Sequence, residues 1–347
     1  MYIKKILLVI VVAGMLVGGA FAYMVYRAFF LPNTQFNNEV AYVFIPSDSD
    51  FDEVKAIIEP LLKDLNTFES AADKKGYSTN VKAGKYAIKK GMSNNDIVNS
   101  LRSGNIPVKV AFNNQENLAD LAGRISLQIE ADSTALLSVF GELEFLEANG
   151  FNDKTALSMY IPNSYEFFWN TSAEGFRERM LKEYKRFWNE ERMAKTKSLG
   201  LNPSQVITLA SIVHKETAKV DERPRVAGVY LNRLATGMLL QADPTVIYAI
   251  KLHTGNFDTI IKRVLYKDLE LDSPYNTYKY AGLPPGPIAM PDISAIDAVL
   301  NPEKHDYYYF VANVEDFGYH KFAKTLAQHN RNKEQYVRWI NRQKINR

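Results

Sequence analysis

Asn202-Pro203-Ser204-Gln205-Val206-Ile207-Thr208-Leu209-Ala210-Ser211-Ile212-Val213-His214-Lys215-Glu216-Thr217 is the most informative run in this chain. Asparagine followed by proline marks a helix start. Asn caps the first turn, and Pro occupies the first helical position, where a missing N–H costs nothing. The run therefore predicts a helix from there to about Lys219. At about 100° per residue, Val206, Leu209, Ala210 and Val213 gather within a sector of roughly 100°. Glu216 falls beside Leu209, Ile212 and Val213 rather than opposite them. A carboxyl group at the edge of an apolar stripe loses solvation. Its charged form is disfavoured and its pKa rises, so it can stay protonated near neutrality, as a general acid must. The structural alternative is a glutamate paired with a cation, and Arg223, Arg225 and Arg233 lie close enough in sequence to supply one. His214 projects about 200° away from Glu216, which predicts a surface or partner-facing residue.

Downstream, Asp221 and Glu222 open a second amphipathic segment, Val226 to Leu234, which stops at Gly237 and predicts a helical hairpin with the first. In Gln241-Ala242-Asp243-Pro244-Thr245 a third helix begins, with Asp243 as the expected N-cap and Pro244 in the first turn. Asn276-Thr277-Tyr278 and the stiff Gly282-Leu283-Pro284-Pro285-Gly286-Pro287-Ile288 cannot be regular elements, and rigid loops of this kind often line sites. Tyr307 to Ala312 reads as a late strand, followed by Gly318-Tyr319-His320-Lys321-Phe322.

Upstream, Pro107 to Phe112 reads as a connecting strand, with helical patterns over Leu118–Ile129, Ala135–Ala148 and Phe176–Leu199. Tyr160 to Trp169 concentrates aromatics around a Pro-Asn turn, which suits a packed loop or a sugar-stacking wall. Earlier still, Val40–Ile45 predicts a strand, Phe51–Leu65 a helix, and Lys85–Lys89 a second strand. A helix capped by Ser93 follows and ends at Gly104. This strand–turn–helix pattern resembles a LysM module; a purely structural αβ unit without a ligand reads equally well.

At the N-terminus, Lys4 and Lys5 precede an apolar run from Ile6 to Tyr26. About 21 residues at roughly 1.5 Å each span about 31 Å, close to the ~30 Å thickness of bilayer hydrocarbon. Tyr23, Tyr26, Phe29 and Phe30 suit an interfacial belt. A cleaved signal peptide is the rival reading, because Ala20-Phe21-Ala22 has the small-x-small form of a cleavage site. Either reading exports the rest of the chain, and the lysines favour a cytoplasmic N-terminus.

The 347 residues are 46% apolar, enough for two or so folded domains. A balance of 42 basic to 39 acidic side chains leaves +3, too little to point to nucleic acid. No cysteine is present, so disulfides and thiol chemistry are excluded. Five scattered histidines show no ligand spacing, and neither metal nor cofactor is expected.

Six ordered motifs resemble the YceG-like family of endolytic murein transglycosylases: Ala210 to Thr217, Asn232-Arg233-Leu234, Gln241 to Thr245, Asn276-Thr277-Tyr278, Gly282 to Ile288, and His320-Lys321-Phe322. The resemblance covers nearly the whole chain. It implies an α+β fold with an N-terminal transmembrane helix, a LysM-like αβ module and a larger helix-rich catalytic domain. The matching segments are 1–5 as cytoplasmic tail, 6–26 as span, 27–39 as linker, 40–108 as module and 109–347 as catalytic domain. The resemblance further implies a single-pass protein of the cytoplasmic membrane whose catalytic domain faces outward. There it would cut nascent peptidoglycan strands at the MurNAc–GlcNAc β-1,4 bond, leaving 1,6-anhydro-MurNAc ends, and thus act as a lyase. Peptidoglycan synthases would be candidate neighbours.

Where many relatives carry Glu-Lys-Glu in the helix motif, this chain has His214 first, so only Glu216 can carry that chemistry. Gln241, Asp243, Asn276, Tyr278 and His320 become candidates for holding sugar or stabilising developing positive charge, each with a structural role as the alternative. The competing functions are a non-catalytic wall-binding scaffold and a two-carboxylate hydrolase pairing Glu216 with Asp243 or Glu166.

Overall fold

A computed structural model describes residues 2–342; Met1 of the expected tail and residues 343–347 of the expected C-terminal domain lie outside the described residues. The chain forms two compact units. The first holds residues up to 110, together with 127–131 and 165–172; the second holds the rest of the described chain.

The first unit begins with α1 (Tyr2–Phe30), one helix long and apolar enough to cross a membrane, its side chains exposed from Ile6 to Tyr26. The expected linker over 27–39 carries structure instead. Helix α1 continues to Phe30, the Asn94 Nδ2 donates to Ala28 O at 2.7 Å, and Asn33 N donates to Met92 O at 2.9 Å. Then come β1 (Val40–Ile45), α2 (Phe51–Ile58), α3 (Leu65–Lys74), β2 (Gly84–Lys89), α4 (Asn94–Ser103) and β3 (Pro107–Phe112). Strands β1 and β2 pair antiparallel, Val40 opposite Lys89 and Ile45 opposite Gly84, with two helices between them in sequence. The single helix expected over 51–65 is two, because Pro60 cannot continue the ladder and Asp64 caps a fresh start by accepting from Thr67 N. Ser93 caps α4 as expected, in a reciprocal box with Asp96. Val43, Ile45, Phe68, Tyr86, Ile97 and Leu101 form the core beneath.

The second unit adds α5 (Leu118–Ser126), α6 (Ser133–Phe140) and α7 (Leu143–Ala148), where one helix was expected over 135–148 and Gly141 ends the first. The aromatic run read as a loop contains strand β4 (Asn163–Phe168), most of which belongs to the first unit and which pairs with β3. Beyond it, α8 (Ala173–Phe187) and α9 (Glu190–Ser198) divide at Asn189, whose side chain caps α9. Next come α10 (Pro203–Glu216), α11 (Arg223–Ala235), α12 (Asp243–Thr254) and α13 (Ile293–Leu300). Strands β5 (Tyr309–Ala312) and β6 (His320–Ala323) form a hairpin, and α14 (Leu326–Arg342) closes the described chain.

Helix α10 is the centre of this unit. It packs on α9, α11, α12 and α13, and every residue from Val206 to Val213 is buried. The one-sided stripe drawn from the sequence is therefore a helix buried nearly all round, as apolar residues at most positions require. One of its polar side chains ties it to a loop. Ser211 Oγ donates to Thr208 O at 2.7 Å and accepts from Ile288 N at 3.1 Å, which fastens the proline-rich loop to the helix. Within that loop Gly286 passes so close to the Lys154 carbonyl that a Cβ would overlap it.

Candidate active site

Helix α10 stops at Glu216, three residues before the expected end, with Thr217 in an extended conformation after it. The carboxyl group sits where the helix presents its unpaired carbonyls, a poor place for negative charge. Glu216 is half-buried, and its Oε1 accepts one hydrogen bond, from the Tyr230 hydroxyl at 2.8 Å. Burial pushes its pKa from 4.5 up to about 7. The Tyr230 hydrogen bond, His320 and Arg233 pull the other way, and the negative field of Asp243 adds to the rise. None of Arg223, Arg225 and Arg233 takes it as an ion-pair partner. Arg223 bonds Ser294 and Asp292, Arg225 bonds Glu303, and Arg233 donates to Tyr308 O and Leu240 O.

Around Glu216 opens a cleft of about 330 Å³, lined also by Arg233, Gln241, Asp243, Tyr278, Tyr309 and His320. Four of the five candidates for substrate contact thus meet Glu216 in one place. Asp243 is not the cap of α12. Ala242 takes that position, and the Asp243 carboxylate instead accepts from the Tyr278 hydroxyl at 2.6 Å. The turn that frees it is built from Thr277, whose Oγ1 accepts from Ala242 N at 3.0 Å and whose carbonyl accepts from Gln241 N at 3.1 Å. Gln241 itself sits at φ 48°, a left-handed conformation that costs a non-glycine residue energy and that concentrates at functional sites.

Asn276 does not line the cleft. It is fully buried, donates from Nδ2 to Leu269 O and Leu271 O at 2.8 Å each, and accepts from Tyr278 N at 3.0 Å. Its amide satisfies backbone groups that burial leaves without water, and through Tyr278 N it fixes the loop that carries Tyr278. Nor is His214 a surface residue. It lies half-buried with Nδ1 3.4 Å from Asp292, because α10 has almost no solvent face, and burial lowers its pKa.

The sequence reading missed the group that holds His320. Glu222, immediately before α11, accepts from His320 N at 2.6 Å and from Thr217 Oγ1 at 3.0 Å, and lies 2.8 Å from His320 Nδ1. Opposite a carboxylate, Nδ1 must carry the proton. Burial acts to raise the Glu222 pKa, but the His320 and Thr217 hydrogen bonds win and hold it below the usual range. Tyr230 was legible as part of a helix; its role as the hydroxyl facing Glu216, 14 residues away, was not. Burial keeps the Tyr230 and Tyr278 phenols in their donor form, with pKa values raised well above the ordinary value.

The YceG-like family model matches residues 43–335. An endolytic murein transglycosylase of Bacillus subtilis (strain 168) is 32% identical over 342 residues, covering 93% of this chain and 91% of its own. One from Streptococcus pneumoniae serotype 2 is 30% identical over 349 residues, covering 92% of this chain and 62% of its own, so this chain spans less than two thirds of that relative. A solved structure of a yceG-like protein from Listeria monocytogenes matches with a TM-score of 0.56 at 30% identity, over 85% of this chain and 99% of its own.

Proposed function

Because the chain belongs to the YceG-like family, we propose that it is an endolytic peptidoglycan lytic transglycosylase, a lyase, with Glu216 as its acid. The observation that carries this reading is a carboxyl group on a cleft whose surroundings raise its pKa to about 7. Near neutrality such a group has a proton to give and, once it is given, a carboxylate to take one back. Glu216 protonates the glycosidic oxygen of the MurNAc–GlcNAc bond as it breaks. The C6 hydroxyl of the same MurNAc then attacks C1 and loses its proton to Glu216, closing the 1,6-anhydro ring and restoring the acid. Water is not consumed. An intramolecular nucleophile has a high effective molarity, so it replaces the water that a second carboxylate would otherwise activate. Asp243, steadied by Tyr278, faces the positive charge that develops at C1, while Gln241 and His320 hold sugar hydroxyls.

The same reading makes α1 a membrane anchor, with the chain after it on the outer side of the cytoplasmic membrane and residues 40–108 a LysM-like module ahead of a catalytic domain from 109 onward. A periplasm-only reporter fused after Arg347 is expected to be active; silence beside a working cytoplasmic reporter reverses the orientation.

Activity is tested with purified protein on uncross-linked strands, with products read by mass spectrometry. Anhydro ends from the wild type, absent with Glu216→Gln, are expected. Undiminished cleavage by the variant removes Glu216 from the reaction. Products one water heavier turn the lyase into a hydrolase, with Asp243 as the second carboxylate.

A further inference from the structure

A second, larger recess of about 570 Å³ adjoins the catalytic cleft and shares Asp243 and Tyr278 with it. Its other walls come from residues 262–269 and from α14. Three exposed cations line it, Lys262, Arg263 and Lys333, and among the described residues none of them makes an ion pair. Elsewhere in the second unit Lys215 and Lys251 share Glu116, Arg225 holds Glu303 and Lys324 holds Asp306. The one acidic group in the recess, Asp243, already accepts from Tyr278. The remaining lining is apolar or aromatic, with Tyr266 almost fully exposed and Ile340 buried. Such a recess suits a ligand that carries several negative charges on a short, partly apolar chain.

Murein offers that chemistry. Each MurNAc bears, through its lactyl group, a short peptide with free carboxylates and alanine methyls. Resting on the transglycosylase reading above, we propose that this recess binds the anionic stem peptide of the sugar next to the cut, with Lys262, Arg263 and Lys333 taking its carboxylates. The enzyme then distinguishes strands by their peptides as well as by their sugars.

The test compares kcat/KM of the full chain on strands carrying stem peptides with that on the same strands stripped to the lactyl carboxylate by an amidase. For the wild type, a preference of about tenfold for the peptide-bearing strands is expected at low salt, fading at high salt, since the cations are exposed. The K262Q/R263Q/K333Q variant, whose positions are solvent-exposed and whose thermal melt should match the wild type, is expected to lose the preference while keeping the rate on stripped strands. A variant that keeps the preference overturns the proposal, as does one that slows equally on both strands. A third arm compares strands ending in a lipid pyrophosphate with released strands. If the three cations respond to the pyrophosphate and not to the peptide, the recess belongs to the phosphate and the proposal fails. Binding of free stem tetrapeptide to the Glu216→Gln chain, read by calorimetry, is expected to weaken about tenfold with the three substitutions. Unchanged binding there overturns the proposal. Wild-type protein that forms no anhydro ends on any strand refutes the transglycosylase reading instead, and leaves the binding arm to decide this one.

Discussion

Two glutamates six residues apart reach opposite acidities, one at the end of α10 and one at the start of α11. Burial acts on both in the same direction, raising the pKa. Glu216 has one hydroxyl donor and sits at the carbonyl end of its helix, so burial prevails and the acid titrates near 7. Glu222 has three donors, from Thr217 and from the backbone and ring of His320, and stands at the N–H end of the next helix, so it stays ionised below the usual range. Donor number and helix polarity, rather than residue type, divide the roles: one carboxyl keeps a movable proton and the other a fixed charge that orients a histidine.

The harshest test of this division is Glu216→Gln, expected to lower kcat by about a thousandfold or more, since it removes the one group that both gives and takes a proton in the scheme. Glu222→Gln should cost less turnover, about ten- to a hundredfold in kcat/KM, because it disturbs His320 and not the proton itself. It should also destabilise the fold by about 2–4 kcal/mol at pH 7, measured by urea denaturation, because it breaks a buried charged network. A variant as stable as the wild type would show Glu222 to be expendable.

The pH dependence sharpens the contrast. With Glu216 needed as the acid, kcat/KM is expected to fall as pH rises through about 7, tenfold per unit beyond it. The stability terms run in opposite directions. Glu216 has a raised folded pKa, so its contribution is complete below its ordinary 4.5 and is lost as pH rises towards about 7. Glu222 has a depressed one, so its contribution is present above 4.5 and is lost as pH falls through the folded value. Denaturation curves from pH 4 to 8 for the two glutamine variants should both part from the wild type as pH rises, but in opposite directions, the Glu216 variant becoming more stable than the wild type and the Glu222 variant less stable. The smallest effect is expected from Tyr230→Phe. It deletes the hydrogen bond that lowers the Glu216 pKa, so the alkaline limb moves up by at most about one unit while the rate at pH 6 changes by less than about threefold.

What the sequence disclosed was what local chemistry controls. The Asn202-Pro203 start, the Ser93 cap and the apolar setting of Glu216 are all decided within one or two turns. Gln241, Asp243, Tyr278 and His320 reached the cleft through their place in the motifs. The Glu222–His320 pair spans 98 residues and depends on a hairpin docking beside α11, which no spacing encodes. Asn276 lies outside the cleft for a related reason. An amide beside an aromatic looks the same in sequence whether it faces a ligand or binds its own loop, and only the burial of Leu269 and Leu271 carbonyls decides. His214 was misplaced because a wheel shows directions but not how many neighbours a helix has.

The join between α1 and the rest of the first unit sets the working reach of the protein. A flexible tether over residues 27–39 would let the first unit wander by about 20 Å, at 5–6 Å times the square root of its length. Instead the helix runs to Phe30, Asn94 grips the Ala28 carbonyl, and Asn33 is bonded to Met92 and to Asp64. Anchored as proposed, the first unit stands on a post rather than swinging on a leash. It tilts and turns only with the helix in the lipid, and it is held at one height above the surface, as the mark on a gauge is.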